Sequence, residues 1–108
     1  MTPEGKVKAK IKRLLSKYEC WSYMPVSNGM GAPALDFQCS KKGRAFAIEA
    51  KAPGKKPTPR QVSTMREYRG HNIPSFVCDG TNYDELEAWI IAIDLDCCIC
   101  PYLESLDE

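Results

Sequence analysis

Two short stretches rich in apolar residues, Leu35 to Cys39 and Arg44 to Lys51, flank Ser40-Lys41-Lys42-Gly43, and this arrangement constrains the fold more than any other part of the chain. A glycine-containing turn between two such stretches predicts adjacent strands joined as a hairpin. On the second strand, side chains alternate between faces. Phe46, Ile48 and Ala50 then point one way, and Ala45, Ala47, Glu49 and Lys51 the other. Glu49 and Lys51 therefore share a face with small residues that leave room in front of them. Asp36 stands thirteen residues before Glu49, on the neighbouring strand. A carboxylate on each of two neighbouring strands, with a lysine beside them, can hold a divalent metal and a water against a phosphate.

The chain has 108 residues, enough for one domain with a modest core, so residues 1–108 are read as a single domain. No apolar run approaches the roughly 20 residues that span a bilayer. The lysine-rich N-terminus is followed by no continuous apolar segment of the signal-peptide kind, so the expected location is the cytoplasm. In that compartment the six cysteines are not expected to form a disulfide framework or a disulfide-linked partner. Cys39 and Cys78 fall in expected strands and read as small buried hydrophobes. Cys97, Cys98 and Cys100 lack the spacing of a usual zinc site.

The net charge of +1 hides an asymmetry: all 15 lysines and arginines precede residue 70, where they meet five of the 14 acids. The first part of the chain is therefore +10, and the remainder, with nine acids and no Lys or Arg, is −9. A basic half is what a phosphate polymer selects. Lys41, Lys42, Lys55, Lys56 and Arg60 are the expected DNA contacts, while most single lysines on such a surface are simply solvated.

Taken in order, Thr2-Pro3-Glu4 reads as a helix start, and Val7, Ile11, Leu14, Leu15 and Tyr18 as its buried stripe. Glu4 falls on that stripe and not with the lysines; it is either a first-turn acid favoured by the helix dipole or a member of a site. Cys20 to Val26 reads as a strand and Ser27 to Pro33 as a glycine-bearing loop. After the hairpin, Ala52 to Pro57 is a loop. Thr58-Pro59-Arg60-Gln61 is a helix start with a capping box. Gln61 can serve as that cap alone, but it also shares the helix's inward stripe with Met65 and Tyr68. Gly70 is expected to end this helix. Ile73 to Cys78 reads as a strand reached by a parallel crossover. Thr81 is expected to cap a further helix with Leu86, Trp89, Ile90 and Ile93 on its inner face.

Glu4, the Gly31…Asp36 pair, Glu49-Ala50-Lys51 and Gln61, in this order, resemble the VRR-NUC family of the PD-(D/E)XK nuclease superfamily, notably its small stand-alone members, which are similar to Holliday junction resolvases. The likeness covers roughly residues 4 to 80. The family's usual Gly-x-Pro-Asp is here Gly31-Ala32-Pro33-Ala34-Leu35-Asp36, with proline and aspartate further apart. The resemblance implies an α/β, restriction-endonuclease-like αβββαβ core, with a central mixed sheet flanked by helices. It implies a structure-specific endonuclease of branched DNA that uses Mg²⁺ or Mn²⁺. Asp36 and Glu49 would bind the ion, helped by the Ala50 carbonyl and by Glu4, directly or through water. Lys51 and Gln61 would complete the catalytic set. It also implies a homodimer, and the C-terminal apolar region with Trp89, Ile91, Ile99 and Leu103 is the expected interface. Alternatives are a nicking, flap-cutting or restriction-like nuclease, a nucleic-acid-binding module without catalysis, and, for Glu49 and Lys51, a plain surface ion pair.

Overall fold

A computed structural model of the chain describes residues 1–25, 34–93 and 101–106. It begins with helix α1, Pro3–Lys17. Thr2 caps α1 by accepting the Gly5 N–H on Oγ1 at 3.0 Å, and Pro3 sits in the first turn, where a missing N–H is harmless. Val7, Ile11, Leu14 and Leu15 form its buried stripe, as the spacing predicts.

Among the described residues four strands form one sheet: β1 Trp21–Tyr23, β2 Phe37–Lys41, β3 Arg44–Ala50 and β4 Ser75–Cys78, in that spatial order. β1–β2 and β2–β3 are antiparallel, and β3–β4 is parallel. Helix α2, Pro59–Gly70, connects β3 to β4, and helices α3, Tyr83–Ala92, and α4, Pro101–Leu106, follow. The expected α/β architecture with a mixed sheet flanked by helices is therefore present.

The alternation along β3 divides the core in two. Phe46, Ile48 and Ala50 join Phe37, Cys39, Phe76 and Cys78 beneath α1 and α3. Ala47 joins Leu35, Met65 of α2 and Leu103 of α4 on the opposite face. Cys39 and Cys78 are buried thiols as expected, and burial pushes the Cys39 pKa up to about 12, with the neighbouring Cys20 adding to the rise. No helix among the described residues is long and apolar enough to cross a membrane.

Several expectations are corrected here. The hairpin turn is tighter than four residues: Lys41 already pairs with Arg44. Only Lys42 and Gly43, with φ of 51° and 81°, form the turn. Two consecutive positive φ values match the right-handed twist of the strands. β2 starts at Phe37 and not Leu35, because the backbone bends at Asp36. Leu35 and Phe37, which strict alternation would place together, consequently lie in opposite clusters. β1 is shorter than Cys20 to Val26; Pro25 has no N–H for a ladder, and Val26 with the loop Ser27–Pro33, including Gly31, lies outside the described residues. Gly70 is still helical, and Asn72, φ 60°, takes the left-handed position beyond it. Thr81 does not cap α3: its N–H and Oγ1 donate to Asp79 Oδ1, and Asn82 stands at the cap position without a side-chain cap bond.

The expected dimer surface changes most. Trp89 is buried in the chain's own core, its ring 5.6 Å from Phe46 and 5.3 Å from Phe76 between centroids. Leu103 is buried under the second face. A sheet with two covered faces consumes more apolar chain than a one-sided core, so these residues are internal packing and not an interface. Ile91 is exposed. Ile99, Cys97, Cys98 and Cys100 lie outside the described residues.

Candidate functional site

Where the β2–β3 ladder ends, side chains replace the backbone bonds. The last pair of the ladder is Phe37 with Ile48. One residue further, the Asp36 N–H donates to Glu49 Oε1 at 3.2 Å, and the Ala50 N–H donates to Asp36 Oδ2 at 3.0 Å. Each carboxylate thus holds the other strand's backbone. This mutual clasp fixes both acids side by side at the end of β3.

Glu49 is 2% exposed. Its Oε2 accepts from Gln61 Nε2 at 2.9 Å and lies 3.6 Å from Lys51 Nζ. Lys51 continues the β3 direction, its N–H donating to Cys78 O at 2.9 Å, so its side chain falls on the face of Glu49 as period-two alternation requires. The two expected roles of Gln61 coexist. Its Oε1 accepts the Thr58 N–H at 2.9 Å, closing the capping box, while its Nε2 reaches Glu49. Gln61 therefore bears on the site through Glu49.

Glu4 behaves differently from its expected place on the apolar stripe. It pairs with Lys8 one turn along α1, Oε2 to Nζ at 3.3 Å, and the same Nζ lies 3.9 Å from Asp36 Oδ1. Glu4 is thus linked to Asp36 by way of Lys8. Sequence reasoning missed Lys8, although its i,i+4 spacing from Glu4 was a usable signal.

The expected DNA contacts separate into two groups. Lys55, Lys56 and Arg60 are exposed in the loop after β3 and the first turn of α2, at the site's end of the sheet. Lys41 and Lys42 lie at the opposite end of β3, and Lys41 Nζ sits 5.4 Å from the Tyr18 ring centroid, on the α1 side.

Burial, and then the nearby Asp36 charge, push the Glu49 pKa up from 4.5 to about 7, and Lys51 only partly opposes this. The folded state thus prefers Glu49 protonated. Below pH 4.5 the group is neutral folded or unfolded and changes nothing; above about 7 it is charged in both states and the burial penalty is complete. In the absence of metal, stability should fall across that window, by roughly 3 kcal/mol at most. A cation bound by the pair offsets the penalty, so Mg²⁺ or Mn²⁺ should raise the melting temperature more at pH 8 than at pH 5. Thermal melts with each ion and with chelator check this. Equal shifts at both pH values, or none, would remove Glu49 as a metal ligand.

Among the described residues no group of three His, Cys, Asp or Glu converges as a metal cluster. Two carboxylates are nevertheless a sufficient protein contribution for Mg²⁺, which is commonly held by one or two acids, water and substrate phosphate. The donors here are hard oxygens, and one of them is buried with a raised pKa, which fits such an ion. Compared with known proteins, the chain matches no family model, no curated protein and no solved structure.

Proposed function

We propose that this chain is a metal-dependent endonuclease of branched DNA, of the VRR-NUC kind, with its site at Asp36, Glu49, Lys51 and Gln61. The observation that carries this reading is the mutual clasp of Asp36 and Glu49, with Lys51 and Gln61 on the buried Glu49 carboxylate. A surface ion pair needs none of this; here the lysine faces a carboxylate already held by two N–H donors. The order αβββαβ at the start of the chain and the mixed sheet agree with a restriction-endonuclease-like core.

Asp36 and Glu49 would hold Mg²⁺ or Mn²⁺, with the Ala50 carbonyl as a further ligand and Glu4 acting through water. When bound, the ion would polarise the scissile phosphate and acidify a water. Lys51 would orient the attacking water and neutralise charge that builds on the phosphate oxygens. Gln61 keeps Glu49 in place by donating to Oε2. Lys8 balances Asp36 and Glu4 from the α1 side. Cleavage of linear, flapped and four-way-junction DNA with Mg²⁺, Mn²⁺ or chelator tests the reading directly; no metal-dependent cleavage of any of them would overturn it.

A four-way junction needs two opposed cuts, and one chain carries one such site, so junction resolution requires a two-fold pair of chains. Sedimentation of the protein on a junction decides between resolution by a dimer and flap cutting or nicking by a monomer.

DNA binding should weaken steeply with salt, because Lys55, Lys56 and Arg60 would displace counterions from phosphates. Charge reversal at Lys55 and Lys56 together should lower affinity uniformly across sequences and flatten the slope of log K against log salt by about two. An unchanged slope in a filter-binding titration would take these two lysines out of the contact surface.

A further inference from the structure

The nuclease reading leaves the outer edge of the sheet unused. Among the described residues β1 is an edge strand, and its Trp21 and Tyr23 are 59% and 51% exposed. Their ring centroids are 5.3 Å apart and their planes are tilted by 55°. Two large aromatic rings held together in solvent form a surface that suits a planar partner.

The strand register states which face they occupy. Trp21 pairs with Ser40 and Tyr23 with Gln38; across the next ladder Ser40 pairs with Ala45 and Gln38 with Ala47. Directly paired residues share a face, and Ala47 packs in the cluster beneath α2. Trp21 and Tyr23 therefore project from the face that carries Glu49, while Ser22, opposite the buried Cys39, faces α1. The cover supplied by α2 reaches β2 at Tyr68, whose hydroxyl accepts from Gln38 Nε2 at 3.0 Å. Beyond it, among the described residues, lies an uncovered shelf: its floor is Ser40, half-buried, and Ala45, exposed, and its rim is the two rings.

This shelf lies within reach of the Asp36–Glu49 site for an extended strand. Tyr23 is two strand spacings across and two residues along from Glu49, about 12 Å, and Trp21 about 16 Å. β1, β2 and β3 contain one acid, Glu49 itself. A polyanion crossing the sheet to the site thus meets no other carboxylate on these strands, and the small floor residues leave room for flat bases. Stacking on aromatic rings is tolerant of sequence and demands that the bases be unpaired.

We propose that Trp21 and Tyr23 form a stacking platform for the unpaired bases of single-stranded DNA whose backbone leads to the Asp36–Glu49 site. The second half of this statement rests on the nuclease reading; the platform itself does not. It assigns the substrate a splayed or flapped strand beside the cut.

The test measures binding without metal. Fluorescence anisotropy in chelator follows a labelled oligothymidylate of about 12 nucleotides and a blunt duplex of equal length. The proteins compared are the wild type, the pair Trp21→Ala with Tyr23→Ala, and the pair Trp21→Phe with Tyr23→Phe. Both side chains are exposed, and circular dichroism verifies that each variant is folded. The alanine pair should bind the oligothymidylate about tenfold or more weakly, the phenylalanine pair should restore most of that affinity, and duplex affinity should stay unchanged. Equal oligothymidylate affinity in the wild type and the alanine pair overturns the platform. So does a wild-type dimer that the alanine pair turns into a monomer without altered DNA affinity, since the rings would then cover a second copy. If the wild type binds as stated but cuts no substrate when metal is supplied, the nuclease reading fails and the platform stands.

Discussion

Asp36→Asn should lower DNA cleavage by at least about 10²-fold, the size of effect that follows loss of a group stabilising charge in the transition state, and should leave the protein folded. Asparagine keeps an oxygen for the Ala50 N–H, which donates to Asp36 Oδ2 at 3.0 Å, and puts an uncharged NH₂ in place of Oδ1. Asp36→Ala is a poorer test. It strands the Ala50 N–H at a fully buried residue, and an unsatisfied buried donor costs about 1–3 kcal/mol, so lost folding would mix with lost chemistry. Lys51→Met should reduce cleavage similarly, because it keeps the aliphatic stem and deletes the ammonium group 3.6 Å from Glu49 Oε2. Single-turnover cleavage with Mg²⁺ or Mn²⁺, alongside a thermal melt, reads both effects. Near-wild-type cleavage by Asp36→Asn in a folded protein sinks the site assignment.

Trp89→Ala should destabilise the fold by about 3–5 kcal/mol, as expected for deleting a large buried aromatic. Trp89 bridges Phe46 of β3 and Phe76 of β4, edge-on to the first at 81° and tilted by 44° to the second. Its removal opens a cavity between α3 and the sheet that backbone shifts would only partly close. Leu103→Ala should cost about 2–5 kcal/mol by the same mechanism on the opposite face, where Leu103 packs with Leu35, Ala47 and Met65. Either loss is a large share of the about 5–15 kcal/mol that typically holds a domain folded. Urea unfolding measures both. A variant that keeps its urea midpoint but changes its sedimentation coefficient would return that residue to an intermolecular surface.

Different parts of this molecule were legible in the sequence to different degrees. The helical stripe Val7, Ile11, Leu14, Leu15 and the alternation of Phe46, Ile48 and Ala50 against Ala47 and Glu49 appear in the fold as read, because local periodicity alone decides which side a residue takes. The same periodicity set Glu49 and Lys51 on one face. The capping box at Thr58 and Gln61 was equally local, since its partners lie three residues apart.

Errors arose where a residue's fate depends on elements distant in sequence. Lys42 at positive φ shortened the turn, and the bend at Asp36 sent Leu35 and Phe37 to opposite faces. Neither follows from composition, because sheet twist and the burial of Leu35 against Met65 set them. Thr81 lost the capping role to a network among Val77, Asp79 and Asn82. Trp89 and Leu103 looked surplus to a core counted on one face, and the apolar tail found its place only once the sheet had a second face to cover.

By itself, then, the sequence determined the succession of elements from α1 to α3, the sidedness of α1 and of β3, and that Glu49 and Lys51 share a face, because these depend on backbone periods within a few residues. Tertiary structure alone decided that Asp36 and Glu49 clasp each other's strands, that Lys8 stands between Glu4 and Asp36, and that Gln61 serves cap and carboxylate together. Those contacts join α1, the residue before β2, β3 and α2, and contacts between groups from 12 to 28 residues apart form only after the sheet and both helix layers have packed.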